Sequence, residues 1–305
     1  MITRTHPRWI LAVTIAACWL HAAPAQAQKP SPTIADLAYG DHPSQAIDFY
    51  QAESESPTPL VLYIHGGGFR NGSKSGIKAA DVKALNGAGI SVASVEYRLT
   101  GVKPLPAAHL DCKRALQFLR SKAGELNLDN KRIGAYGGSA GAQLCMWLAF
   151  HDEMGDPGAE DPIARESTRL ACVAPSAGQI TMDLNWWVQN IPGYDQPHRS
   201  GLEAFGIGDA AALAPLVKEY SPITHVSADD PPVFMTYRMH PDDPIPTGPN
   251  KASGWKIHHV AFGLALKEKL DALGVEADLK YPRGDSKYES PVAFFKAKLL
   301  APGGD

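Results

Sequence analysis

Strand-type and helix-type segments alternate along nearly the whole chain, which predicts an α/β fold: one mostly parallel central sheet with helices on both faces. Two further observations sharpen that expectation. A Gly-x-Ser-x-Gly pentapeptide, residues 137–141, falls between an apolar strand-like run and a helical one. A stretch from about residue 179 to 217 carries Trp186, Trp187, Tyr194 and Phe205 among several Pro and Gly, has no clean period, and interrupts the alternation. It reads as an inserted cap segment, because such loops emerge at the functional edge of a sheet.

The elements follow in order. Ile34 to Tyr39 and Gln45 to Tyr50 are two short strands joined by a Gly-Asp-His-Pro-Ser turn, a hairpin at a sheet edge. Leu60 to Ile64 is a continuous apolar run, as expected for a strand buried on both faces. A helical stretch from about Ile77 to Asn86 leads to a similar run, Ile90 to Val95. Pro106 opens a helix whose Cys112, Ala115, Leu116 and Leu119 share one face. Ile133 to Tyr136 is a strand running straight into the pentapeptide, and a helix follows with Leu144, Leu148 and Phe150 among its apolar positions. Leu170 to Ala174, Val233 to Tyr237 and Ala277 to Tyr281 supply later strands. Helices are expected from about Val260 to Leu273, stopped by Gly274, and from about Val292 to Leu300.

Composition excludes several classes. The chain has 305 residues, 44% of them hydrophobic, enough for a core without disulfide staples. Its 29 Lys and Arg against 32 Asp and Glu give −3 with no charge block, which argues against nucleic acid as a partner. Glycine and proline are spread without a period, so collagen and solenoid readings fail. Residues 1–27 read as a signal peptide: Arg4 and Arg8, an apolar run from Trp9 to Leu20, then Ala25-Gln26-Ala27 as a cleavage site. The mature unit is then 28–305, exported to the periplasm or secreted. Ile15-Ala16-Ala17-Cys18 keeps open a lipobox, and with it a membrane anchor at Cys18. Cys112, Cys145 and Cys172 are either buried thiols or one bridge plus one thiol, with no pair singled out. No Cys-x-x-Cys or Cys/His cluster exists, so a zinc site is not expected, and no metal or organic cofactor is implied.

The chemistry sits in two glycine motifs. Placed between strand and helix, Gly137-Gly138-Ser139-Ala140-Gly141 is a nucleophile elbow: the tight turn pushes Ser139 outward and frees the Ala140 N–H at a helix start. His65-Gly66-Gly67-Gly68-Phe69 follows the strand ending at Ile64. Glycines there let the backbone turn its N–H groups toward one point, making Gly67 and Gly68, with Ala140, the candidate oxyanion donors. His65, at the strand end, is read as a structural hydrogen bonder of that loop.

With Glu96-Tyr97-Arg98-Leu99 ending the next strand, these motifs resemble an α/β-hydrolase. More narrowly they are similar to bacterial carboxylesterases grouped with feruloyl and acetyl-xylan esterases, close to the hormone-sensitive-lipase type. The likeness extends over residues 58–282. It implies a Ser, acid, His order, with Arg98 and Asp111 as a structural pair. Asp243, before Pro244 and after the Val233 strand, matches the family's acid, with Asp242 its rival. The family's histidine should follow Tyr281-Pro282, yet none occurs after His259. His258 and His259, read as preceding the helix that starts near Val260, offer a relocated base. His258 is favoured because it sits further into the loop, and His240 comes third. A helix N-terminus there would keep the ring neutral.

These residues point to an exported serine carboxylesterase acting on a small ester or a polysaccharide-linked one; acetyl or feruloyl side-chain groups are what the resemblance implies. A lipase would want a broader apolar cap, and a peptidase on this fold a further domain. The rival reading is a degenerate, weakly active or non-catalytic relative that binds a glycan or ester in the old pocket.

Overall fold

The computed structural model describes residues 1–2 and 29–300; the signal from residue 3 on, with its cleavage site and Cys18, lies outside them. Eight strands form one sheet: β1 (Ile34–Ala38), β2 (Ala46–Tyr50), β3 (Thr58–Ile64), β4 (Ser91–Val95), β5 (Leu128–Gly138), β6 (Cys172–Ser176), β7 (Val233–Thr236) and β8 (Ala277–Lys280). Their spatial order is β1-β2-β4-β3-β5-β6-β7-β8. The hairpin β1–β2 pairs antiparallel and joins β4 antiparallel, whereas every pair from β4 to β8 is parallel. The sheet is thus mostly parallel, with its antiparallel part at one edge. Parallel neighbours need crossovers, and helices supply them: α1 (Ala79–Asn86), α2 (Ala107–Ser121), α3 (Ala140–Phe150) and α8 (Ala261–Ala272); a further helix, α9 (Pro291–Leu299), follows β8.

Each face of the sheet has its own core. Leu60, Leu62 and Ile64 of β3 belong to one core, with the apolar stripe of α2, most of α3, and Phe262, Leu266 and Leu270 of α8. Val61 belongs to the other, with Val82 and Leu85 of α1 and Phe294, Phe295 and Leu299 of α9. Every residue of α3 is buried, which explains why, Gln143 apart, it is apolar all round rather than on one stripe. All three described cysteines are buried and unbridged. Burial pushes each of their thiols up, so none is a ready thiolate.

Two regions depart from the sequence reading. The 179–217 stretch holds three short helices, α4 (Leu184–Asn190), α5 (Gly201–Phe205) and α6 (Leu213–Glu219). Trp187 is its anchor: the ring is buried against Phe262 of α8, and its N–H donates to the Thr181 carbonyl at 2.9 Å. The second is a helix that periodicity did not reveal, α7 (Pro249–Ile257), with Trp255 its one buried residue. One buried side chain leaves no stripe to read. The available signal was Gly248-Pro249, since proline is favoured at a first helical position. None of the described helices is long and apolar enough to cross a membrane.

Candidate active site

The parallel strands bring the ends of β3, β5, β6 and β7 to one edge of the sheet, with Ile64 opposite Gly137, Gly138 opposite Ser176, and Ser176 opposite Thr236. Ser139 stands there at φ 54°, ψ −120°, a conformation that costs a non-glycine residue energy and needs its surroundings to hold it. Those surroundings are backbone. The Ser139 N–H donates to the Ser176 carbonyl at 2.9 Å, and the Ser139 carbonyl accepts from the Gln143 N–H at 3.0 Å. Helix and strand close so tightly behind the turn that a Cβ on Gly141 would lie 2.0 Å from the Ile64 carbonyl oxygen and 2.7 Å from that of His65.

The glycine loop comes off β3 beside this elbow. Gly67 and Gly68 have φ +111° and +62°, and the Gly67 carbonyl accepts from the N–H groups of Arg70 and Asn71. Among the described residues, the N–H groups of Gly67, Gly68 and Ala140 have no hydrogen-bond acceptor. They are therefore free to serve a ligand oxygen. His65 lies beneath, 2% exposed. Its Nδ1 is 2.8 Å from the Gly66 carbonyl, its Nε2 is 3.1 Å from Glu96, and its ring stacks on Tyr97. Arg98 grips Asp111 with two guanidinium nitrogens at 2.8 and 2.6 Å, while the Arg98 N–H and the Gln45 amide donate to the same carboxylate. The pair is thus tied to Gln45, with the Asp111 side chain 1% exposed.

His258 meets the serine: Nε2 lies 2.9 Å from Ser139 Oγ. Its Nδ1 is 2.9 Å from the Gly254 carbonyl. A carbonyl can only accept, so Nδ1 carries the proton and the Nε2 lone pair faces the serine hydroxyl. That is the tautomer a general base needs. Gly254 belongs to the last turn of α7, whose carbonyls have no intrahelical partner, and His258 is the residue that follows the helix. The sequence reading set His258 just before a helix starting near Val260, and α8 does begin at Ala261 with Val260 as its N-cap; the structure adds that His258 also ends α7. Its pKa is nevertheless pushed down, chiefly by burial and also by Arg238, while the Gly254 hydrogen bond pulls the other way.

The acid candidates are elsewhere. Asp243 accepts the His240 N–H on one oxygen and Arg283 on the other, both at 2.8 Å. Both ring nitrogens of His258 have other partners, Gly254 and Ser139, and no hydrogen bond joins Asp243 to that ring. Arg283 follows Tyr281-Pro282 after β8, where the resemblance placed a histidine, so the acid's partner in this loop is a guanidinium. Asp242 is 85% exposed and faces His240 at 3.4 Å. His240 is held in that turn, accepting the Asp242 N–H. His259 is buried against Trp255, and its Nδ1 accepts the Ala261 N–H, a cap at the start of α8. Sequence reasoning missed Gly254 entirely, because a backbone carbonyl leaves no mark on residue type.

A cavity of about 390 Å³ opens on Ser139 and His258, lined also by Ser176, Arg238, Met239 and Trp255. A second of about 390 Å³ adjoins the glycine loop, between Gly68, Phe69 and Arg70 and the Arg199–Ala204 segment. Metal-type side chains converge only away from this edge among the described residues, at His151, Glu219 and His225. There His151 Nε2 is 3.0 Å from Glu219, and His225 Nε2 is 2.6 Å from the Glu219 carbonyl.

Comparison with known proteins fits this geometry. The family model BD-FAE matches residues 47–247, more than half of the chain. An arylesterase of Saccharolobus solfataricus is 35% identical over 98 residues, 32% of this chain and 32% of that protein. The chain spans less than half the length of the curated relatives it matches first. Among solved structures, an acetyl ester-xyloside bifunctional hydrolase from Caldicellulosiruptor lactoaceticus aligns with a TM-score of 0.60 at 25% identity, covering 79% of this chain and 78% of that one. A truncated carbohydrate esterase from gut microbiota aligns at 0.68 and 21%, covering 88% and 96%. The sheet, elbow and crossover helices are those of an α/β-hydrolase fold.

Proposed function

The chain belongs to the BD-FAE family, and from that membership together with the Ser139–His258 contact we propose that it is a serine carboxylesterase. His258 Nε2 takes the proton as Ser139 Oγ attacks the ester carbonyl. The N–H groups of Gly67, Gly68 and Ala140 receive the developing oxyanion, a role worth about 3–4 kcal/mol of barrier lowering per donor in measured cases. The imidazolium then gives its proton to the leaving alcohol, and the same nitrogen activates the water that releases the acyl group. The Gly254 carbonyl does the orienting that a carboxylate does elsewhere. It fixes the tautomer, and as a dipole at a helix C-terminus it favours the imidazolium.

The observation that carries this reading is the 2.9 Å separation of Ser139 Oγ and His258 Nε2, within the reach that proton transfer requires. The finer reading is an exported enzyme, periplasmic or secreted, acting on acetyl or feruloyl esters of polysaccharide side chains. Its support is the basic-apolar-small pattern of residues 1–27 and the activities for which the structural neighbours are named. On this reading the Trp187-anchored 179–217 segment is the cap that borders the substrate. The test is turnover of short-chain aryl esters by the purified mature protein and by Ser139→Ala and His258→Ala. Loss in both variants is expected. Unchanged turnover in Ser139→Ala would end the esterase reading and leave the ligand-binding one.

A further inference from the structure

We propose that Arg199 is a substrate-binding residue, which engages a carboxylate on the glycan that carries the scissile ester; the proposal rests on the polysaccharide-esterase reading above. Arg199 lines the cavity beside Gly68, so a chain-like substrate with its ester at Ser139 reaches it by crossing the glycine loop. The side chain is half-buried, and no described carboxylate lies within ion-pair distance of it. Its one protein hydrogen-bond acceptor among the described residues is the Met182 thioether at 3.8 Å, a weak one, and its guanidinium sits 5.8 Å from the centre of the Phe69 ring. The other arginine lining this cavity is already engaged: Arg70 pairs with Glu203 at 3.3 Å.

A half-buried cation with an empty fork of donors is costly unless something fills it. Here its neighbours make matters worse. Burial disfavours its charge most; Tyr194 offsets part of this, and Arg70 adds repulsion. Beside it, His198 is pushed down to about 4, by burial first and then by Arg199 and Arg70, so the ring is a neutral neighbour at working pH. On the opposite flank Arg238 lines the Ser139 cavity without any described partner. A planar guanidinium with two parallel N–H groups fits a carboxylate, and sugars of a plant or microbial polysaccharide carry one as uronate.

The experiment compares ester release from an acetylated xylan bearing uronic acid and from the same polymer after its carboxyl groups are reduced to alcohols. Phenyl-type acetate serves as the reference for the esterase itself. The wild-type protein is expected to release acetate from the acidic polymer with a kcat/KM on the order of 10–100-fold above that for the reduced one. The difference should sit in KM and shrink at high salt. Arg199→Met is expected to bring the two polymers together, and Arg199→Lys to restore part of the gap. Equal rates of the wild-type protein on both polymers overturn the proposal, as does a preference that survives in Arg199→Met. Hydrolysis of the aryl acetate with no release from either polymer overturns it as well. A protein inactive on all three, aryl acetate included, contradicts the esterase reading itself. Because the main comparison varies the substrate, it stands even where a variant fails to fold.

Discussion

Replacing Asp243 by Asn should leave this protein nearly as active as before. In a serine hydrolase whose acid holds the histidine, the same change costs about 10⁴-fold in kcat, because the wrong tautomer then faces the nucleophile. Here the histidine is oriented by the Gly254 carbonyl at 2.9 Å, and Asp243 is bonded to the His240 N–H and to Arg283 instead. The Asp243 and Arg283 side chains are 32% and 61% exposed, so they form a surface pair of the kind that contributes little. The carboxamide oxygen that Asp243→Asn leaves in place can still accept the His240 N–H. The expected outcome is kcat on an aryl acetate within about threefold of wild type and a nearly unchanged Tm. Steady-state kinetics at pH 8, with Ser139→Ala as the zero, measures it. A fall of a hundredfold or more in a variant with wild-type circular dichroism and Tm would refute the reasoning, because it would mean that Asp243 reaches His258 during turnover.

Three more outcomes follow from the same geometry. Since burial pushes His258 down and only its neutral form can accept the serine proton, kcat/KM should be flat above neutrality; its acid limb should lie below the ordinary imidazole value of about 6.5 and fall tenfold per pH unit, and a limb at or above 7 would contradict this. His109 is fully buried, bonded to Gln143 at 3.1 Å, and pushed down to about 3 by burial. Between about pH 6.5 and 3 the unfolded chain binds a proton there that the native chain does not, so stability is lost as the pH drops, by up to about 1.4 kcal/mol per unit; urea midpoints at pH 7 and 4.5 should differ less in His109→Gln than in wild type, and equal differences would contradict the assignment. Gly141→Ala drives a Cβ into the Ile64 and His65 carbonyls, neither of which is a flexible side-chain end, so it should destabilise by a few kcal/mol and abolish turnover; a soluble variant with wild-type kcat would show that the elbow has slack.

How far the sequence could be read depended on whether a feature leaves its mark on residue type. The strands β3 and β4 were legible because a strand buried on both faces must be apolar throughout, and the elbow because backbone crowding at Gly137 and Gly141 admits nothing larger than glycine. The chemistry of Ser139, Gly67, Gly68 and Ala140 followed from those constraints, and the structure gathers them at one edge. His258 emerged by elimination and from its place before α8, while the burial that pushes its pKa down left no mark on the sequence. Asp243 was expected from its place after β7, yet what it touches depends on Arg283, a residue forty positions away that pattern alone did not connect to it. Gly254 and α7 were illegible because a carbonyl belongs to every residue and one buried tryptophan makes no period. Arg199 gave no signal either, since an arginine's lack of partners is a property of the fold.

The central claim is that Ser139 is activated by His258 and by no carboxylate. The most direct measurement is the rate at which an alkyl fluorophosphonate modifies Ser139, followed by intact-protein mass, in wild type, His258→Ala, His259→Ala and Asp243→Ala. This reads the nucleophile without any assumption about the substrate. The account predicts that the rate falls by about 10²–10⁴-fold in His258→Ala alone, with the other two near wild type. Modification of His258→Ala at the wild-type rate, or an equal collapse in Asp243→Ala, would contradict it.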